Sequence, residues 1–153
     1  MVRFLDKEKE MDLLGELFDI LYENMEPVAP FDGGYQEERA EWIACVGAAL
    51  RKPPRQILLL CAGEQLAGFC MYYINGDTMM VEEVQIRDEY QKTVLSAELF
   101  RFIRQHLLPK AGCLEAYADR RNTASQLLMR KLGMELIGDD GRFLHFRMDT
   151  SKT

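Results

Sequence analysis

Apolar residues along this chain follow two rhythms, one helical and one strand-like, and the switches between them mark out its elements. Val2 to Leu5 reads as a short strand. From Asp6 the spacing is helical: Met11, Leu14, Leu17, Phe18 and Leu21 recur with acidic residues between them. Pro27 and Pro30 end that helix, and Pro27 to Gly34 has the composition of a loop. A second helix is predicted over about Gln36 to Arg51, with Trp42, Val46 and Leu50 on one face and Pro53 and Pro54 closing it.

Beyond Pro54 the rhythm changes. Ile57 to Ala62 is a continuous apolar run, the mark of a strand buried on both faces. Leu66 to Ile74 and Thr78 to Ile86 are two further strands, joined by the hairpin signal Asn75-Gly76-Asp77. Helical spacing returns from Thr93 to Leu107, with Leu95, Leu99, Phe102, Ile103 and His106 on one stripe, and Pro109 stops it. Cys113 to Ala118 is a short strand. Asn122 caps a helix running to Leu132, with Gly133 at its end. Met134 to Ile137 and Phe143 to Met148 form two last strands, and Asp149 to Thr153 reads as a frayed tail. The order β-α-α-β-β-β-α-β-α-β-β implies an α/β fold, a mixed sheet with helices on both faces. Nothing suggests a linker or a repeat, so residues 1–153 are expected to be one domain.

Composition narrows the function. The 153 residues are 48% hydrophobic with a formal net charge of -6. That balance argues against a nucleic-acid binder and is compatible with a cationic partner. Cys45, Cys61, Cys70 and Cys113 form no Cys-x-x-Cys pair and are expected to be buried, reduced thiols. His106 and His145 lack metal-ligand spacing, so no metal site is expected. With no signal-peptide pattern and no membrane-length apolar run, the expected place is the cytoplasm.

The segment Val81 to Leu99 reads as a strand, a short polar loop and a helix. Outward-pointing loop N–H groups backed by a helix N-terminus make an anion site, suited to a pyrophosphate. Here the sequence resembles the GNAT superfamily of N-acetyltransferases. Asp88-Glu89-Tyr90 followed by Gln91-Lys92-Thr93-Val94-Leu95-Ser96 is similar to that family's Gln/Arg-x-x-Gly-x-Gly/Ala signature. Asn122 to Met134 is similar to its second motif, Asn-x-x-Ala-x-x-Leu-Tyr-x-Lys-x-Gly-Phe. The resemblance implies a mostly antiparallel GNAT-like sheet, acetyl-CoA as co-substrate, and direct acetyl transfer to an amine, small or protein-borne. It implies CoA contacts from Val84, Ile86, Gln91, Lys92, Thr93, Val94, Leu95, Ser96, Asn122 and Leu128, and an acceptor site bordered by Phe31, Asp32 and Tyr35. A homodimer is compatible with it.

The departures from the motif are specific. Val94 and Ser96 stand where the family prefers glycine; both keep an N–H, Ser96 offers a hydroxyl, and Val94 would be strained at a positive φ. Met129 stands where the family carries a catalytic tyrosine, and a thioether donates no proton. These changes also fit a module that binds acyl-CoA, or regulates, with impaired catalysis. Strict alternation puts Met80, Glu82, Val84 and Ile86 on one face, with Glu82 its only charge: the best candidate for the base, or else a buried structural carboxylate held by an arginine or tyrosine. Glu83 would then face solvent beside Gln85, and only one of Tyr72 and Tyr73 would reach the cleft. Arg120 and Arg121 are candidate phosphate contacts.

Overall fold

The computed structural model describes residues 1–150. Its elements are β1 (Val2–Phe4), α1 (Leu14–Met25), α2 (Tyr35–Leu50), β2 (Gln56–Ala62), β3 (Gln65–Asn75), β4 (Thr78–Ile86), α3 (Val94–Phe102), β5 (Cys113–Asp119), α4 (Thr123–Lys131), β6 (Glu135–Asp139) and β7 (Phe143–Asp149). The order matches the one read from the sequence. The strands form one sheet, β1-β2-β3-β4-β5-β7-β6. Only the β4–β5 pair is parallel. That pairing follows from the βαβ crossover through α3, since a parallel neighbour needs a long connection.

Two apolar layers hold the helices to the sheet. Ile57, Leu59, Cys61, Phe69 and Met71 pack under α1 and α2 against Leu14, Leu17, Phe18, Val46 and Leu50. Leu58, Leu60, Cys70, Tyr72 and Met79 face the other way and meet Leu99 and Ile103, with Ala116 and Phe146. The unbroken apolar run of β2 thus supplies both layers by alternation. No residue of β5, β6 or β7 belongs to the α1/α2 layer, so that face of the sheet lacks this cover beyond β4.

Four local expectations are corrected. The helix expected over Thr93–Leu107 is α-helical only to Phe102; a π turn (Ile103–Leu107) and a 3-10 turn (Leu108–Lys110) follow. Pro109 supplies no N–H there, so regular i→i−4 bonding cannot continue. Asp149 pairs with Cys113 in the sheet, and the Thr150 N–H donates to the Gly112 carbonyl at 2.9 Å, so the tail is anchored at least that far. Residues 151–153 lie outside the described ones. Cys45 is exposed on α2, whereas the other three cysteines are buried free thiols.

The fourth correction shapes the site. Met71 pairs with Glu83 but Tyr72 pairs with Val81, leaving Glu82 as an extra residue in β4. This is a β-bulge, and it resets the alternation. Val81 and Val84, three apart, both pack on the α3 side. The expected grouping of Met80, Glu82, Val84 and Ile86 on one face therefore fails.

Candidate active site

β4 and β5 stay in register only from Thr78/Cys113 to Val81/Ala116. Beyond that point the ladder ends, and the β4 edge from Glu82 onward runs without a partner strand on that side. The strands open as a wedge whose apex lies at the bulge. Around it is a cleft of about 280 Å³ lined by Tyr73, Met80, Val81, Glu82 and Tyr117. A larger surface cavity, about 390 Å³ and lined by Lys7, Met11, Leu50, Arg51 and Pro53, shares no residue with it.

On the far side of the wedge the β4–α3 connection is tightly pinned. The Ile86 carbonyl accepts from Asn24 Nδ2 and Gln91 Nε2, both at 2.9 Å, and Arg87 Nε donates to the Leu66 carbonyl at 2.8 Å. Thr93 caps α3: its N–H donates to Ser96 Oγ at 3.0 Å, and the Ser96 N–H returns to Thr93 Oγ1 at 3.3 Å. This reciprocal box fixes the helix start. It also consumes groups expected to face a phosphate. The N–H groups of Thr93 and Ser96 are bonded internally, the Ser96 hydroxyl donates to the Thr93 carbonyl, and the Gln91 N–H donates to Asp88.

What remains is a smaller cradle. The N–H groups of Lys92, Val94 and Leu95 have no partner among the described residues. They sit at the positive end of α3, where an anion is favoured. Val94 lies in the first turn of α3 with its side chain 79% exposed, so the strain expected there does not arise. The left-handed residue is Lys92, at φ 58°. Val84 and Ile86 pack toward the α3 layer on the same side as this cradle.

α4 closes the other arm. Asn122 Oδ1 accepts from the Ser125 N–H at 3.1 Å, and its Nδ2 reaches Met25 Sδ at 3.5 Å. It is therefore a cap that also touches the end of α1. Met129 packs against the α3-side core, and Leu128 is half-buried beside it. Arg120 pairs with Asp139, and Arg121 with Asp119 at 2.9 Å, so both guanidiniums are already engaged.

The opposite mouth of the cleft is built from side chains. Glu82 is held by Arg55, with Nη2 to Oε2 at 2.8 Å, and the Arg55 guanidinium lies 5.0 Å over the Tyr73 ring. Glu83 turns in the same direction as Gln85, which donates to it, and Gln85 accepts from Asn24 of α1 at 3.0 Å. Glu83 is thus not the solvated side chain expected. Burial, with a smaller push from the Glu82 charge, raises its carboxyl to about 7; the Gln85 hydrogen bond works against this. Tyr72 packs in the core, and Tyr73 is the one that reaches the cleft.

Of the expected acceptor residues, two are engaged elsewhere. Phe31 stacks on Tyr22 at 5.6 Å and touches Phe18. Tyr35 joins the same aromatic cluster, and its hydroxyl donates to Asp19. Asp32 is exposed, and its charge adds a small push to the main effect of Asp119 in raising the Arg121 guanidinium's pKa. None of the three lines the 280 Å³ cleft. Tyr117 does line it, and no signal in the sequence singles it out. No cluster of potential metal ligands occurs among the described residues.

This architecture has clear relatives. The family model for the acetyltransferase (GNAT) family matches residues 14–134, and the chain belongs to that family. Among solved structures, an acetyltransferase from Thermus thermophilus superposes with a TM-score of 0.75 at 14% identity, covering 97% of each chain. A PaiA N-acetyltransferase from Thermoplasma acidophilum, in complex with coenzyme A, gives 0.70 at 16% identity over 97% of this chain and 98% of that one. The N-acetyltransferase PseH from Campylobacter jejuni, in complex with acetyl coenzyme A, gives 0.64 at 13% identity over 97% and 99%. No curated protein matches the sequence itself. Membership of the family makes acetyl transfer from acetyl-CoA to an amine the activity of this fold.

Proposed function

We propose that this protein acetylates an amine by direct attack on acetyl-CoA, with the pyrophosphate on the α3 cradle and Glu83 as the base. The observation that carries the reading is the set of three open N–H groups, Lys92, Val94 and Leu95, at a helix N-terminus beside a wedge between parallel strands. That arrangement fits a diphosphate lying at the mouth and a thin pantetheine arm between β4 and β5. Val84 and Ile86 would line the arm, and Asn122 and Leu128 would border it from α4.

In the reaction the amine nitrogen bonds to the acetyl carbon, the carbon–sulfur bond breaks, and CoA leaves as the thiolate. The unpaired β4 edge at the bulge supplies an N–H for the carbonyl oxygen as it gains charge. Glu83, with its pKa near 7, takes the proton the nitrogen sheds, directly or through one water. The base role expected of Glu82 thereby moves one residue along, because Glu82 is neutralised by Arg55. Met129 protonates nothing, and a thiolate of ordinary basicity recovers its proton from water. Asp32 remains a contact for the acceptor at the rim. The free thiols suit a reducing compartment, and we place the protein in the cytoplasm as one folded domain.

Titration with acetyl-CoA, followed by melting temperature, tests the donor half, because a ligand of the folded state raises apparent stability. A rise at millimolar acetyl-CoA, then thiol release on adding an amine, is expected. No shift at that concentration sinks the reading. A shift without thiol release from any amine would favour the binding-module alternative that Met129 suggests.

A further inference from the structure

The acceptor mouth contains a repeated device. Tyr73 on β3 and Tyr117 on β5 flank the cleft, with Met80 and Val81 of β4 between them. Each ring is braced by a basic side chain that is itself held by a carboxylate. Tyr73 lies under Arg55, which is held by Glu82. Tyr117 stacks on His145, with centroids 4.2 Å apart and planes at 16°, and His145 Nε2 is 2.6 Å from Glu115 Oε1. Tyr117 nevertheless remains 49% exposed. A large aromatic left open in a concave site, yet fixed in orientation, is positioned for contact with a ligand. Besides Glu83, the carboxylates at this mouth are Glu82 and Glu115, and both already have partners.

We infer that Tyr73 and Tyr117 determine acceptor specificity by clasping a flat, apolar body, so that the acceptor is a small primary amine on an aromatic or compact hydrocarbon group. The volume supports this: about 280 Å³ equals roughly nine waters at ~30 Å³ each, room for about ten heavy atoms. The body lies over Met80, and the amine points toward the bulge and Glu83. A polyamine fits poorly, since within the cleft Glu82 is already paired with Arg55, Glu115 is hydrogen-bonded to His145, and Glu83 is taken by the reacting amine, so its extra ammonium groups find no open carboxylate there. The two phenol hydroxyls, without hydrogen-bond partners among the described residues, offer edge contacts to a substituted ring.

This inference rests on the acetyl-transfer reading, and the experiment separates the two. Thiol release is followed with saturating acetyl-CoA and either phenethylamine, spermidine or a short peptide with a free N-terminus. Phenethylamine should give a kcat/KM at least tenfold above the other two. Tyr117→Ala should raise its KM about tenfold or more with little change in kcat, while Tyr117→Phe keeps most of the affinity. Tyr73→Leu provides an independent variant from the other wall. CoA titration of each variant reports that it is folded and that the donor site is intact. Preference for spermidine or the peptide, an unchanged KM in Tyr117→Ala and Tyr73→Leu, or no turnover of phenethylamine by protein that binds acetyl-CoA would each overturn the specificity role. Failure of acetyl-CoA to bind would instead remove the reading beneath it.

Discussion

The two sides of the wedge are made of different materials. On the α3 side the proposed binding elements are backbone: three N–H groups at a helix start, held by a Thr93–Ser96 box and by side chains that grip the Ile86 carbonyl. On the α1/α2 side the proposed ones are side chains: Glu83, Tyr73, Tyr117 and the polar groups that brace the rings. A backbone cradle tolerates substitution, because every residue but proline carries the same N–H. Val94, where the family prefers glycine, keeps its open N–H for that reason, whereas the Ser96 N–H is spent in the cap. A side-chain mouth changes with each residue, and that is where a chain of this fold can select its substrate.

The largest expected effect lies on the side-chain side. Glu83→Gln should lower turnover by about 10²–10⁴ at neutral pH while leaving acetyl-CoA binding intact. In the parent, kcat/KM should rise through pH 7 as Glu83 ionises, and that inflection should vanish in the variant. The sign for stability is opposite. A carboxyl raised from 4.5 to about 7 holds its proton in the folded state where the unfolded chain has lost it. Folding is therefore favoured by low pH across that window and loses this contribution as pH rises toward 7. Glu83→Gln should accordingly be more stable than the parent at pH 8, with the difference shrinking toward pH 5. A variant that lost activity and stability together would indicate a purely structural carboxylate.

Next in size is a test of the backbone side. Val94→Pro removes one cradle N–H while suiting the first position of a helix, and Thr93, at φ -112° and ψ 172°, already has the extended backbone that a following proline demands. A hydrogen bond to a charged group contributes about 1.5–3 kcal/mol. CoA affinity should fall tenfold or more by calorimetry, with the apo melting temperature nearly unchanged. Unaltered affinity would move the pyrophosphate away from α3. Thr93→Ala is milder in binding but costs the cap, about 1 kcal/mol, or roughly 2–4 °C at this chain length.

The same division explains what is legible in the sequence. Element order, the βαβ crossover and the anion cradle follow from periodicity, turns and caps, all local signals. The bulge does not, because strict alternation has no place for an extra residue. A clue is nonetheless present, for Met79, Val81, Val84 and Ile86 step by two, three and two. One extra residue turns Glu82 and Glu83 to the same side and reverses their expected environments. Tyr117, His145 and Glu115 do not stand out as a group because they meet only through the β5–β7 register, which no local pattern encodes. Phe31 and Tyr35 show the converse: loop aromatics with the look of binding residues are taken up by the core around Phe18.

The smallest expected effect locates the strain in the cradle. Motif comparison assigns it to Val94, where the family has glycine, yet Val94 opens α3 in helical backbone and Lys92 alone among the described non-glycine residues has positive φ. A side chain in the left-handed region costs about 1 kcal/mol or somewhat more, and glycine escapes that cost at the expense of a more disordered unfolded state. Lys92→Gly should thus be neutral or stabilising by about 0.5 kcal/mol. Val94→Gly should destabilise by a similar amount, since it weakens a helix turn and relieves nothing. Urea midpoints for the two variants decide the matter. If Val94→Gly proves the stabilising one, the loop adopts a different turn, and the three open N–H groups are not those of Lys92, Val94 and Leu95. If Lys92→Gly is the stabilising one, the glycine preference of the motif at position 94 reflects close approach of the ligand rather than backbone conformation. The exposed Val94 side chain then trims CoA affinity without abolishing it, and Val94→Gly should tighten CoA binding even as it loosens the fold.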